Sequence, residues 1–342
     1  MTAIAHPHRL SGVHTGRPGW LALALAALGL AALLSVTVGT RSVGWGDIGA
    51  GLTGRTETIG QAAIALRLPR TALTALAGAA LGLAGALMQG ATRNPLADPG
   101  LLGVNGGAAL AVVIGIAWFA IDTPGAYVRA GIGGAAAAAC FVYAVGSLGH
   151  GGTTPLKLTL AGAATSIASA SFVLAVVLGR NDIAGAVQSW QVGGVGGATF
   201  AGLSTMLPFL GAGLVAGLLS ARHLNMLALG DDTAASFGVP VTLARGAALG
   251  AAVVLCGATT AICGPIGFVG LVVPHLCRLL VGVDHRWLLP LSALGGAILL
   301  IVADVLGRVI ARPAEVDVGI VTALIGAPVF IAIVRRRRMR DL

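Results

Sequence analysis

Of the chain's 342 residues, 56% are hydrophobic and only 10% charged, and the mean hydropathy is +0.93. A soluble domain carries roughly 25% charged residues, so this composition excludes one and points to a polytopic membrane protein. The net charge of +9 comes from arginines scattered between apolar runs, which reads as topology signals rather than a nucleic-acid surface. Glycine is abundant, 53 of 342, as suits membrane helices whose backbones approach closely. One Lys against twenty Arg also marks a GC-rich genome, which raises Ala and Gly without function.

Residues 1–18, with His6, His8, Arg9, His14 and Arg17, read as a basic tail. The first apolar run, Trp20–Val38, is too long for a signal-peptide core and lacks a cleavage site, so it is expected to stay as a helix. Stretches of spanning length then predict helices over 20–39, 63–90, 101–121, 126–148, 156–179, 199–220, 241–262, 264–281, 287–308 and 316–334. Residues 19–342 are thus expected to be one all-α transmembrane domain of about ten helices, with both termini on one side. On that topology the inner side holds thirteen Lys and Arg and the outer side eight. This is the sense expected of cytoplasmic termini, although eight is an unusual number of outer cations.

Along the chain, Arg67 and Arg70 sit i, i+3 around Pro69 at an expected outer helix start. The helix dipole disfavours cations there, so an acidic partner or snorkelling to the interface is expected. Asn94-Pro95 and Asp98-Pro99 each have the form of an N-cap followed by Pro at the first helical position, predicting two successive helix starts. The polar stretch Gly149–Leu156 is flexible enough to form a gate. Thr159, Gly162, Ser166 and Ser169 share one helix face, which fits close helix packing or the lining of a pathway. In Leu229–Pro240 an Asp at 231 or 232 is placed to cap a short surface helix and Gly238 to end it, within an inner loop of about 223–240. Asp304 and Arg308 are spaced for an ion pair within one helix.

Several chemistries drop out. Gly49–Thr56 has P-loop spacing, but Arg55 stands where Lys is required and no strand precedes it. His275 and Cys277 are two apart on a helix and point apart, and Cys140, Cys256, Cys263 and Cys277 lack zinc-site spacing. No nucleophile–base constellation is present, so no catalytic site, metal site or bound cofactor is expected. An ion-coupled secondary transporter, the competing class, usually needs an ionisable residue deep in the membrane, whereas the acids here sit at helix ends or in loops.

The segments LRLPR (66–70), TRNPLADPGLLGVNGGA (92–108), LTLAG (158–162), LGDDTAASFGV (229–239), the run 264–290 from Gly264 to Pro290, AD…GR (303–308) and VGIVTALIGAPVF (318–330) resemble the iron-siderophore/haem/vitamin B12 permeases of bacterial ABC importers. GVNGGA and the ending TALIGAPVFIAIVRRR are most similar to the ferric-enterobactin permease subunits. The resemblance implies the large-permease (type II) fold in the cytoplasmic (inner) membrane. It also implies a second permease subunit, two cytoplasmic ATPases that bind ATP and Mg, and an extracytoplasmic siderophore-binding protein. The cargo implied is a ferric siderophore, with haem or cobalamin as alternatives. Carried over by position, Leu229, Gly230, Asp231, Asp232, Ala235, Ser236 and Gly238 form the ATPase-coupling loop. Arg67, Arg70 and Arg308 meet the binding protein, and Thr153, Thr154, Thr159, Ser166, Ser169 and Trp190 form the inner gate and pathway. Two departures stand out: Asp317 where the family's ELPVG has Pro, and Gly194 where Ser is usual.

Overall fold

The computed structural model describes residues 16–41, 43–148 and 154–338, and among them it contains helices and connecting turns but no strand. In chain order the helices are α1 (Arg17–Thr37), α2 (Trp45–Leu52), α3 (Ile59–Thr92), α4 (Val104–Phe119), α5 (Pro124–Ser147), α6 (Pro155–Gly179) and α7 (Asn181–Gln191). They continue as α8 (Phe200–Leu219), α9 (Ala221–Leu227), α10 (Asp231–Ser236), α11 (Val241–Cys263), α12 (Val269–Val281), α13 (His285–Ile310) and α14 (Val318–Arg338). Seven of them, α1, α3, α5, α6, α8, α11 and α13, are long and apolar enough to cross a membrane. The apolar helices α4, α12 and the first part of α14 are shorter. Together these ten match the ten predicted spans in order. Residues 1–15 of the basic tail lie outside the described residues, and α1 begins inside the expected tail, at Arg17.

Three helices, α2, α7 and α9, of 8, 11 and 7 residues, are too short to register as spans and were not expected. Helix α2 closes the turn between α1 and α3. Asp47 accepts from the Gly44 amide at 3.3 Å and from the Thr58 hydroxyl at 2.8 Å, tying the starts of α2 and α3 together. Threonine begins four of the other helices: Thr58, Thr123, Thr154 and Thr199 each accept an amide from the first turn. The expected caps at 94 and 98 behave differently. Asn94 accepts from Leu96 N and Asp98 from Gly100 N, so each closes an Asx turn and neither starts a helix. Helix α4 starts only at Val104, behind Gly103 at φ 78°.

Helix α3 is the axis of the molecule. Its 34 residues span about 51 Å at 1.5 Å per residue, well beyond a bilayer core. It is also the most enclosed span, with 78% of its most apolar window buried against 11% for α1. What lets α3 sit so deep is a glycine face. A Cβ at Gly78 would collide with the Gly296 carbonyl of α13, one at Gly82 with the Ser292 carbonyl, and one at Gly85 with the Gly270 carbonyl of α12. Backbone lies against backbone, the arrangement that replaces the hydrophobic drive between helices in lipid.

The chain has two ends. One, the α10 end, gathers the starts of α1 and α13, joined by Arg17 and Asp284 at 3.6 Å, together with α9 and α10. The other, the α2 end, gathers α2, the start of α7 and the α13–α14 turn.

Gly82→Val should sharply lower the thermal unfolding midpoint of the purified chain in detergent. Overpacking a core typically costs about 1–3 kcal/mol, and here the obstacle is backbone that cannot swing aside. Gly133→Val, whose Cβ meets open space, should leave the midpoint unchanged; equal effects would remove the α3–α13 contact as the cause.

Candidate functional site

At the α2 end, arginines converge on the end of α1. The last four carbonyls of a helix have no partner within it. Arg308 donates to Ser35 O at 2.9 Å, to Val38 O at 3.1 Å and to Ser35 Oγ at 2.8 Å. Arg67 donates to Val36 O, Thr37 O and Arg41 O at 2.9–3.1 Å. Two cations thus satisfy the carbonyls of α1 at the negative end of its dipole, which they also stabilise. Gly39 leaves the room, because a Cβ there would overlap the Arg67 guanidinium.

One carboxylate neutralises this cluster. Asp304, 1% exposed, bridges Arg308 Nη2 at 2.9 Å and Arg70 Nη2 at 2.8 Å. Arg70 also reaches the half-exposed Glu315 at 2.7 Å. The predicted Asp304–Arg308 pair is present, and the acidic partner expected for Arg70 lies in the same chain. Two expectations are corrected. Helix α3 begins at Ile59, two turns before Arg67, so neither arginine opposes a helix N-terminus. Arg67 and Arg308 are not free surface cations: both are buried, with guanidinium donors held by α1. Exposed cations at this end are Arg41, Arg55, Arg129 and Arg312, which only the packing of the helices reveals.

At the α10 end, Gly230 at φ 112° occupies the N-cap of α10, the place expected for an aspartate. Asp231 lies in the first turn instead, where a carboxylate complements the dipole. It accepts from Arg93 at 2.9 Å and from Arg245 at 2.9 and 3.1 Å, while Arg245 Nε holds Ala91 O. The short helix is therefore stapled to the end of α3 and the start of α11. Gly238 ends it at φ 77°, as predicted. Ala234 faces inward, and Asp232, Ala235, Ser236 and Gly238 face out, flanked by Leu229 at 61% and Phe237 at 69% exposure. Behind α10, Asn225 bonds the Asp284 carboxylate and the His285 amide. The hydrogen bond from Arg286 holds the Asp284 carboxyl well below the usual carboxylate range. Its ionised form therefore adds stability throughout neutral pH, and that contribution fades only in strong acid.

The predicted pathway residues scatter. Ser166 donates to Gly100 O at 3.1 Å, Gly162 abuts Leu101, and Ser169 is buried against Gly106. The stripe on α6 thus packs against residues 100–106 of the same chain, the close-packing alternative. Thr159 is half-buried beside them. Thr154 caps α6, and Thr153 lies outside the described residues. Trp190, half-buried at the end of α7, helps line a cavity of about 370 Å³ with Tyr127, Asp182 and Leu203.

The two departures from the family pattern touch each other. Gly194 donates to Cys263 O at 2.8 Å, and Gly319 donates to Gly193 O at 2.9 Å, joining the α7–α8 turn to the ends of α11 and α14. A Cβ at Gly194 would lie 2.7 Å from the Asp317 carboxylate. Glycine at 194 gives the carboxylate at 317 its space, so the two substitutions form one unit.

This is the architecture of a multi-pass helical membrane protein with a stapled short helix at one end and an arginine cluster at the other. The sequence profile of the FecCD transport family matches residues 27–336. The ferric enterobactin transport system permease protein FepD of Escherichia coli K12 is 48% identical over 79% of this chain and 81% of its own length. The iron(3+)-hydroxamate import system permease protein FhuB of Bacillus subtilis 168 is 41% identical over 83% of this chain and 73% of its own. A solved structure described as an inward-facing conformation of a metal-chelate type ABC transporter superposes with a TM-score of 0.74 at 27% identity, covering 94% of this chain and 99% of the other. The chain belongs to the FecCD transport family, and it is a permease subunit of an ABC importer.

Asp304→Asn should destabilise the purified chain in the absence of any partner. Breaking a buried ion pair typically costs about 3–5 kcal/mol, and here two guanidiniums would be left facing each other. An unchanged unfolding midpoint would show that the cluster does not hold α1 to α3 and α13.

Proposed function

We propose that this subunit forms the membrane pathway for a ferric siderophore in a bacterial inner membrane. It works with a second permease subunit, two cytoplasmic ATPases that bind and hydrolyse ATP with Mg, and an extracytoplasmic siderophore-binding protein. The α10 end then faces the cytoplasm, with both termini, and the α2 end faces outward. The cargo follows the siderophore relatives above; haem and cobalamin are the alternatives within the same architecture.

The observation that carries the mechanism is the construction of α10. Its outer face, Asp232, Ala235 and Ser236 with Leu229 and Phe237 beside it, is free within the chain, whereas Asp231 is bound to Arg93 and Arg245. A partner that grips the outer face moves α10, and α10 cannot move without pulling the ends of α3 and α11. Because α3 lies backbone to backbone on α12 and α13, that pull reaches the middle of the membrane. ATP-driven closure of the ATPase pair would use this lever to exchange which end of the pathway is open, a rigid-body switch between two packed states. At the outer rim, Arg70 is the one member of its cluster that reaches the surface, through Glu315. An acidic residue of the binding protein would take the place of Glu315 there, with exposed Arg41 and Arg312 beside it.

Phe237→Asp should cut uptake of radioactive ferric siderophore at least tenfold and reduce co-purification of the ATPase subunits, with membrane abundance unchanged. Full uptake would remove α10 as the coupling element. Arg70→Glu should weaken binding-protein-stimulated ATP hydrolysis while ATPase co-purification stays intact; unchanged stimulation would take Arg70 out of the docking contact. Cells lacking this chain, tested in parallel with ferric siderophore, haem and cobalamin, assign the cargo by which uptake is lost.

A further inference from the structure

A cavity of about 510 Å³ opens between the second half of α5 and the first half of α11. The end of α3 forms its floor. Its walls are apolar, with Met88, Ala139, Val142, Leu249 and Val253 among them. The size lies within the range of small-molecule sites. Two glycines of α11 leave room for the groove between its other lining side chains. Gly246 and Gly250, one turn apart, line it, and a Cβ at either would meet nothing within 4 Å. Along α11 the groove runs from Thr242 to Val253, about 16 Å at 1.5 Å per residue. That is about half of a 30 Å hydrocarbon core, the depth of one leaflet.

The mouth lies at the α10 end, and its charge is positive. Arg245 lines the groove, and Arg245 and Arg93 share the single carboxylate of Asp231, leaving one cation in excess within this trio. All three side chains are partly exposed, at 25%, 43% and 40%. Tyr143, half-exposed near the end of α5, also lines the groove, and tyrosine is a residue enriched where membranes meet water.

We propose that this crevice seats an acyl chain of an anionic phospholipid from the leaflet at the α10 end, with the lipid phosphate on Arg245 and Arg93. The apolar groove one leaflet deep selects a chain, and the surplus cation at its mouth selects an anionic headgroup over a zwitterionic one. The same Arg245 holds Asp231 in the first turn of α10, so the lipid and the docking helix share a cation. Anionic lipid thereby bears on the link between α10 and α11.

The test is native mass spectrometry of the assembled importer released from nanodiscs of phosphatidylglycerol or phosphatidylcholine. The wild-type permease should retain phosphatidylglycerol in preference to phosphatidylcholine. Gly246→Leu combined with Gly250→Leu, at positions where an added Cβ meets nothing within 4 Å, extends side chains into the groove and should cut that retention at least fivefold. If that variant does not fold, Cys140→Trp fills the groove from the α5 side and reads out the same loss. Arg245→Gln leaves the groove open and should remove the preference between the two lipids. Equal retention by the filled variants would overturn the site, and equal retention of both lipids by the wild type would overturn the anionic headgroup. Cross-linking of Cys140, an exposed thiol in the groove wall, to a second permease subunit in native membranes would assign the crevice to a subunit interface and also overturn the proposal.

Discussion

The backbone contact of α3 with α12 and α13 is the constraint on which the other parts of this molecule rest. In lipid, apolar side chains gain little by meeting one another, so helices associate through packing and through polar groups satisfied between them. Gly78, Gly82, Gly85, Gly270 and Gly296 remove every side chain that would hold these three backbones apart. That places α3 at the centre and fixes where its two ends emerge. At one end α3 delivers Arg67 and Arg70; at the other it delivers Arg93. Both charge clusters of the chain are thus mounted on one rod.

The charges then act in two distinct ways. At the α2 end they serve the fold. The carbonyls of α1 must be satisfied inside a structure that excludes water, and Arg67 and Arg308 supply donors, each such end-of-helix cation contributing up to about 2 kcal/mol when partly buried. Asp304 allows the guanidiniums to stay charged side by side, and Glu315 carries the network to the surface. At the α10 end the charges join three elements. Asp231, Arg93 and Arg245 are all partly exposed, so their pairing is weaker and screened. Such a joint can transmit a displacement without locking one state.

Much of this was legible in the residues. Long apolar runs showed the ten major helices, because a 20-residue hydrophobic segment has few alternatives to spanning a bilayer. Gly238 announced the end of α10, because a helix stop with positive φ calls for glycine. The i, i+4 spacing announced the Asp304–Arg308 pair. By contrast, α2, α7 and α9 were not visible, since short helices of mixed polarity look like loops. Asn94 and Asp98 misled for a physical reason: the same carboxyl or amide oxygen that caps a helix also closes an Asx turn, and local sequence does not choose between them. The stripe Thr159–Ser169 left packing and pathway open, since small polar residues serve either until their neighbour is known.

By itself the sequence determined a multi-pass helical permease with a short helix near residue 231, because hydrophobic length, turn residues and family motifs are local properties. The tertiary structure decided what each charge does. Arg308 is 1% exposed and bound to α1, 270 residues or more away in sequence, while Asp231 finds Arg93 and Arg245 from two other elements. Gly194 and Asp317 become one unit only when the ends of α7 and α14 meet. A cation looks the same in sequence whether it caps a helix, bridges a carboxylate or waits for a partner. Which of these it does depends on the donors and acceptors that folding brings within about 3 Å, and those come from distant parts of the chain.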